Sequence, residues 1–163
     1  LVVNLRGLDC VTFVENVYAT ARVLKQGVAE VMDQRAEVEA RYARALTELR
    51  YRGGRLDGYP SRLHYFSEWI SDNATMGLIE DISVSLGGIA DPEPIDFMST
   101  HRDAYRQLSD EAVLEQIRRT ERRLSETGRV FVPQHRIAGV EGQLRNGDIV
   151  AATSTIQIGR AHV

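Results

Sequence analysis

The sequence predicts an α+β fold, and three observations carry that prediction. Apolar residues recur at three- and four-residue steps through the first half of the chain, period-two alternation and short apolar runs bounded by glycine occur only later, and no regular strand–helix alternation links the two. Helices gathered first and strands later argue against a doubly wound parallel sheet. With 163 residues, 43% of them hydrophobic, the chain can bury an ordinary core as one domain without help from disulfides.

The first helix spans residues 9–25, with Phe13, Val14, Val17, Tyr18, Ala21 and Leu24 as its apolar positions and Asp9 as the cap of its free N–H groups. A second, over residues 28–49, places Val31, Val38, Tyr42, Leu46 and Leu49 on one stripe and leaves Glu37, Arg41, Arg44 and Glu48 as a solvated face. Gly53-Gly54 stops it, Gly58-Tyr59-Pro60-Ser61 marks a turn, and a third helix begins near Ser61 and ends near Asn73, with Leu63, Phe66 and Ile70 on its apolar side. Alternation between Ile82 and Leu86 predicts a strand over residues 79–86, closed by Gly87-Gly88. Asp91-Pro92-Glu93-Pro94 breaks regular structure, and residues 97–101 read as a short helix. Ser109, with Asp110 and Glu111 in the first turn, starts a clearer helix whose Val113, Ile117, Thr120 and Leu124 align before Gly128 ends it. Residues 130–132 form a short strand, and after a polar turn region Gly147-Asp148 leads into a buried strand candidate at 149–153.

Several function classes drop out on composition. A net charge of −3, from Lys+Arg 20 against Asp+Glu 23, offers no field that would draw the chain to nucleic acid or an anionic membrane. No run of about 18 apolar residues spans a bilayer, and no basic-then-apolar leader is present. A single cysteine excludes an internal disulfide and a multi-cysteine zinc site. Both ends look cut: the chain opens Leu1-Val2-Val3 without Met, so an export signal could have been lost, and residues 158–163 read as translated sequencing adapter, which leaves 1–157 as the domain.

That cysteine, Cys10, follows Asp9 at the start of the first helix. A thiol there faces unpaired backbone N–H groups and the positive end of the helix dipole, both of which favour the thiolate that attacks carbonyl carbon. The alternative is an inert core residue, since free cysteine is among the most buried residue types. No His-Glu-x-x-His or other ligand spacing supports a zinc amidase, and Ser61 and Ser83 lack a Gly-x-Ser-x-Gly elbow, so a serine hydrolase has no support either. His101 and His135 lie far apart in unrelated contexts.

Four stretches carry a resemblance: Asn4-Leu5-Arg6-Gly7-Leu8-Asp9-Cys10-Val11-Thr12-Phe13-Val14-Glu15, Tyr51-Arg52-Gly53-Gly54, Ser61-Arg62-Leu63-His64-Tyr65-Phe66-Ser67-Glu68-Trp69-Ile70 and Gly147-Asp148-Ile149-Val150-Ala151. Together they resemble the bacterial N-acetylmuramoyl-L-alanine amidase-like family, itself similar to the NlpC-type, papain-like cysteine peptidases of the cell wall. The similarity spans about residues 1–156, and the Asp-Cys-x-Thr-Phe-Val-Glu block is its most specific part. It implies a papain-like fold, a helix-rich N-terminal part on a C-terminal antiparallel sheet, with Cys10 as nucleophile. The family's histidine follows the last strand in an Ala/Ser-His-Val-Gly segment. Ala161-His162-Val163 offers that spelling one position early and inside the adapter stretch, so His162 is either the partner or a placeholder for it. An upstream oxyanion Tyr and a polar residue orienting the histidine have no counterpart in the chain.

The resemblance further implies acyl transfer through a thioester, without metal or cofactor, on amide bonds of peptidoglycan: the lactyl to L-Ala bond first, stem-peptide bonds next. Arg62 and His64 are the first expected substrate-binding residues, because a guanidinium grips a carboxylate through two parallel hydrogen bonds. The bland reading makes Arg62 a surface helix residue and His64 a satisfied half-buried histidine. Tyr51 and Arg52 border the expected cleft, or simply end a helix. A monomer acting in the cell envelope on peptidoglycan or muropeptides is the expectation, with a non-catalytic binder of wall fragments and an acyltransferase as rivals.

Overall fold

A computed structural model describes residues 3, 5–27 and 34–152. They fall into two compact units, one drawn from Leu1–Leu56 and Ile149–Val163, the other from Asp57–Asp148. The expectations placed on Val31, on residues 158–163 and on His162 lie outside the described residues.

In the first unit, helix α1 (Cys10–Lys25) packs on α2 (Arg35–Arg50). Ala19, Val23, Ala45, Leu46 and Leu49 are buried, as the stripe expected for the second helix requires. The other buried residues described in this unit, Glu15, Asn16 and Arg50, are polar. Glu15 and Arg50 form an ion pair at 2.7 Å with side chains 1% and 6% exposed. Tyr42 donates its hydroxyl hydrogen to Asn16 Oδ1, and the Asn16 amide donates to the Thr12 carbonyl at 2.5 Å.

Helix α1 is turned away from the orientation its spacing predicts. Phe13, Val17 and Leu24 are 56%, 52% and 63% exposed, Ala21 is exposed too, and Val14 and Tyr18 are half-buried. Glu15, Asn16, Ala19 and Val23 face inward instead. Apolar periodicity cannot register that Glu15 and Asn16 each have a partner on α2, which offsets the cost of burying them.

The second unit is built around α5 (Glu111–Thr127), whose Leu114, Ile117, Thr120, Glu121 and Leu124 are buried. Met98, Leu108, Leu114 and Ile117 form its core cluster, with Tyr59, Tyr65, Tyr105 and Val113 packed against it. The cap is Asp110, one residue past the expected Ser109: its carboxylate accepts from Ala112 N–H at 2.8 Å, whereas the Ser109 hydroxyl donates back to the Arg106 carbonyl. Helix α3 (Phe66–Thr75) likewise begins later than expected. Ser61 ends a 3-10 turn, Tyr59–Ser61, and its hydroxyl accepts from Asp57 N–H and donates to the Gly58 carbonyl, closing that turn locally.

The strand expected at 79–86 is a turn. Asp81 Oδ1 accepts from Ser83 N–H at 2.9 Å, and the N–H groups of Leu86, Gly87 and Gly88 donate to Ile82, Val84 and Ser83 carbonyls. Local bonds of this kind consume the groups a ladder would need. The strands are β1 (Ile89–Asp91) and β2 (Arg129–Phe131), paired antiparallel with Ala90 opposite Val130. A Cβ at Gly88 would stand 2.5 Å from Val130 Cγ1 and 2.6 Å from the Ser83 carbonyl oxygen, so glycine alone fits where the turn meets the sheet. Helix α4 (Phe97–Thr100) matches the short helix expected there. The buried strand expected at 149–153 is not formed over 149–152, where Val150 is 70% exposed. Among the described residues it has no neighbouring strand to pair with.

Asp91 and Arg129 face each other across the last rung of this sheet, Nε to Oδ2 at 2.5 Å. The hydrogen bond from Arg129, reinforced by the Glu93 N–H, holds the Asp91 carboxyl below its ordinary range. A carboxyl lowered in the folded state stabilises it fully above the unfolded value of about 3.9, and that contribution is lost as pH falls through the lowered value. A carbon-13 titration of Asp91 should therefore give a midpoint below that of free aspartate, and Arg129→Ala should raise it toward that value, the bond from the Glu93 N–H remaining.

Candidate active site

Cys10 is the first residue of α1 and is exposed, so the inert-core reading does not hold. The helix start that presents it is a reciprocal capping box. Asp9 Oδ1 accepts from the Thr12 N–H at 2.7 Å and from its hydroxyl at 2.8 Å, while Thr12 Oγ1 accepts from the Asp9 N–H at 2.9 Å. The Asp-Cys-x-Thr spelling is thus a structural device: the first and last residues fix the turn, and the thiol stands between them. The N–H groups of Cys10 and Val11 have no acceptor within the helix and point toward the space before it. Asp9→Ala should cost about 1 kcal/mol of stability in a denaturant titration, and Thr12→Val a similar amount, since each removes one half of the box.

Tyr51 caps the end of α2, its N–H donating to the Thr47 carbonyl at 3.1 Å, and Arg52 comes next, in the turn Arg52–Gly54. Gly53 and Gly54 have φ values of 57° and 70°, which explains the glycine pair. Arg50 immediately precedes Tyr51. Its buried pairing with Glu15 ties the Asp-Cys-x-Thr-Phe-Val-Glu block to the Tyr-Arg-Gly-Gly block. Neither Glu15 nor Arg50 stood out in the sequence, because a glutamate one turn inside a helix and an arginine at a helix end both read as solvent residues.

The second unit holds Arg62 and His64. Both are half-buried on an extended segment between the Tyr59–Ser61 turn and α3, so Arg62 is not on a helix. The His64 ring packs at 4.5 Å from the Tyr59 ring, and its Nε2–H donates to the Tyr59 carbonyl at 3.0 Å. A carbonyl only accepts, so that bond places a proton on Nε2. Tyr65, the next residue, anchors the segment. Its hydroxyl donates to Glu121 Oε1 at 2.5 Å and accepts from Met98 N–H at 2.9 Å, and Glu121 Oε1 also accepts from Ser99 N–H. Burial first, then the bond to Glu121, pushes the Tyr65 phenol far above its ordinary range, so it remains a donor. Glu121 had a legible signal: it sits at helical spacing between Ile117 and Leu124, on the apolar stripe.

His101 is exposed, stacked on Phe97 and bonded through Nδ1–H to the Phe97 carbonyl, and His135 is exposed on a short turn. Neither belongs to a cluster. A groove of about 490 Å³ in the second unit, lined by Ile95, Ser99, Arg118, Glu121, Arg122 and neighbours, contains none of the expected site residues. Two of its charged groups are engaged elsewhere: Arg122 pairs with Glu115 and Glu121 with Tyr65. Among the described residues there is no group of His, Cys, Asp and Glu that could hold a metal ion, and no helix is long and apolar enough to cross a membrane.

A family model described as AmiA-like, N-acetylmuramoyl-L-alanine amidase-like, matches residues 1–160. Among solved structures, a Bacteroides fragilis protein described as a xylanase is 34% identical with a TM-score of 0.72, covering 83% of this chain and 56% of its own. An N-acetylmuramoyl-L-alanine amidase from Bacteroides uniformis is 30% identical with a TM-score of 0.72, covering 83% and 54%. The chain therefore spans about half the length of the structures it matches. No curated protein matches it.

Proposed function

Because this chain belongs to the N-acetylmuramoyl-L-alanine amidase-like family, we propose that the complete protein hydrolyses an amide bond of bacterial peptidoglycan with Cys10 as its nucleophile. The observation that carries this reading is the exposed thiol at the first position of α1, held there by the Asp9–Thr12 box in the family's most specific block. The Cys10 sulfur attacks the carbonyl carbon, and negative charge develops on its oxygen in front of the free first-turn N–H groups. The carbon–nitrogen bond then breaks, the amine leaves with a proton from an imidazolium, and water hydrolyses the thioester. His162, or a histidine in the same C-terminal segment, supplies that imidazole. The chemistry needs no metal. A papain-like arrangement accounts for the order of elements: a nucleophile helix early in the chain and strands late.

The lactyl to L-Ala bond is the first substrate and stem-peptide bonds the second. Arg62 is the carboxylate-gripping residue, and its extended segment, anchored by Tyr65, leaves a guanidinium more reach than a helix face would. Tyr51 and Arg52 border the cleft, next to the Arg50 that pairs with Glu15 of α1, and His64 is the second substrate-binding residue of the segment that carries Arg62. The protein acts as a monomer in the cell envelope. The test is trapping. Iodoacetamide should place one adduct, on Cys10, and stop release of peptides from muropeptides in step with labelling. Fully alkylated protein that hydrolyses at the original rate would refute the proposal.

A further inference from the structure

The proposed reaction leaves unused the groove of about 490 Å³ between α4 and α5, a volume that suits a small ligand. Two bonds fix how its walls run. The Ile95 N–H donates to Ser125 Oγ at 2.9 Å and the Ser99 N–H to Glu121 Oε1 at 3.0 Å, so residues 95–100 run antiparallel to residues 118–126. Thr100 and Arg118 therefore share one end of the groove, and Ile95, Asp96, Ser125 and Glu126 share the other. Charge follows that order. Arg118, Arg122 and Glu126 stand at steps of four on one face of α5, over about 12 Å of its axis, positive first and negative last. Arg122 turns back to Glu115 and not forward to Glu126, and Glu121 is held by Tyr65. The other charged lining groups, Arg118, Asp96 and Glu126, are exposed, and their side chains have no ion pair or hydrogen bond among the described residues.

We propose that this groove binds a short zwitterionic peptide, its carboxylate against Arg118 and its ammonium against Glu126 and Asp96. The separation of sign along the walls selects this class. A ligand of one sign, such as phosphate or a simple amine, meets like charge at one end, since carboxyl and guanidinium groups both line the groove. A peptide offers both signs at fixed separation. Three extended residues span about 10 Å, close to the axial offset of Arg118 from Glu126. A guanidinium takes a terminal carboxylate through two parallel hydrogen bonds, and an ammonium has three donors to share between two carboxylates. Pro94 and Ile95 supply apolar wall for small side chains between the two ends. The groove meets the proposed function at its product: rupture of the lactyl to L-Ala bond frees an ammonium at the head of a stem peptide that ends in a carboxylate. That link rests on the proposed function, whereas binding of a peptide here needs no nucleophile.

The test titrates trialanine at low ionic strength into the complete, nitrogen-15-labelled protein in a Cys10→Ser background, so its outcome is independent of catalysis. Amide shifts should saturate at residues 95–100 and 118–126 with a Kd on the order of 1 mM. Trialanine amide and N-acetyl-trialanine should each bind at least about threefold more weakly. Arg118→Gln should weaken trialanine by a similar factor and leave trialanine amide unaffected. Glu126→Gln should weaken trialanine and leave N-acetyl-trialanine unaffected. Both side chains are exposed, so each variant keeps its Tm within about 2 °C. The absence of saturable shifts up to about 50 mM trialanine overturns the proposal, as does equal binding of the free and blocked peptides. Shifts confined to the Arg62–His64 segment and abolished by Arg62→Gln overturn it in favour of the substrate cleft. Failure of the hydrolase reading is recognised separately, by alkylation of Cys10 in the parent.

Discussion

Cys10→Ser in the complete protein is expected to lower kcat for muropeptide hydrolysis by at least about 10⁴-fold while leaving Tm within about 2 °C. The substitution exchanges one atom at an exposed position. The cap that shapes this turn uses the side chains of Asp9 and Thr12 and the backbone, so the helix start survives. The loss is that of the nucleophile: a hydroxyl is a far weaker acid than a thiol and offers almost no anion for attack. KM should change little, because the expected carboxylate contact at Arg62 is untouched. Peptide release followed by mass spectrometry checks the result. Activity within tenfold of the parent would remove Cys10 from the reaction, whereas no peptide release by the parent itself would leave a wall-binding module as the better description.

The second large effect is on stability. Glu15→Ala should destabilise the protein by about 3–5 kcal/mol, because it leaves the Arg50 guanidinium buried without its carboxylate. The side chains are 1% and 6% exposed and 2.7 Å apart, so water cannot replace the lost partner without opening the α1–α2 pair. For a chain of this size the corresponding loss in Tm is roughly 6–20 °C. Arg50→Ala should cost a similar amount, and Glu15→Met with Arg50→Leu together should restore most of it, since a buried pair contributes little over well-packed apolar residues. Equilibrium urea unfolding of the three variants gives the answer. Additive losses in the double variant would show that the two side chains act separately. Activity should fall with Glu15→Ala as well, because the pair joins the helix that begins with Cys10 to the residue before Tyr51.

Local order was legible in the residues. The cap at Asp9 and the helix behind it, the Leu46 and Leu49 stripe of α2, the turn at Gly53-Gly54 and the Ile117, Thr120, Leu124 face of α5 are each determined within one or two helical turns. The placement of the thiol was legible for the same reason, since Cys10 owes its position at the helix start to Asp9 and Thr12, both within three residues. The strand expected at 79–86 failed because Asp81 and Ser83 bond within the segment, and alternation of apolar residues does not report such bonds. Ser61 and Ser109 read as helix caps and prove to close neighbouring turns, a competition between residues equally suited to either task.

Residues along the chain determined alone where α1 begins, where α2 and α5 end, and which short motif presents a thiol at a helix start. Only the tertiary structure decided which side of α1 faces inward, that Glu15 and Arg50 meet, and that Ile89–Asp91 rather than the segment before it finds a strand partner. Capping and helical periodicity are set by backbone groups a few residues apart. The direction a helix faces, and whether a buried charge is tolerated, depend on a partner many residues away, and that partner leaves no trace in the spacing of the helix itself.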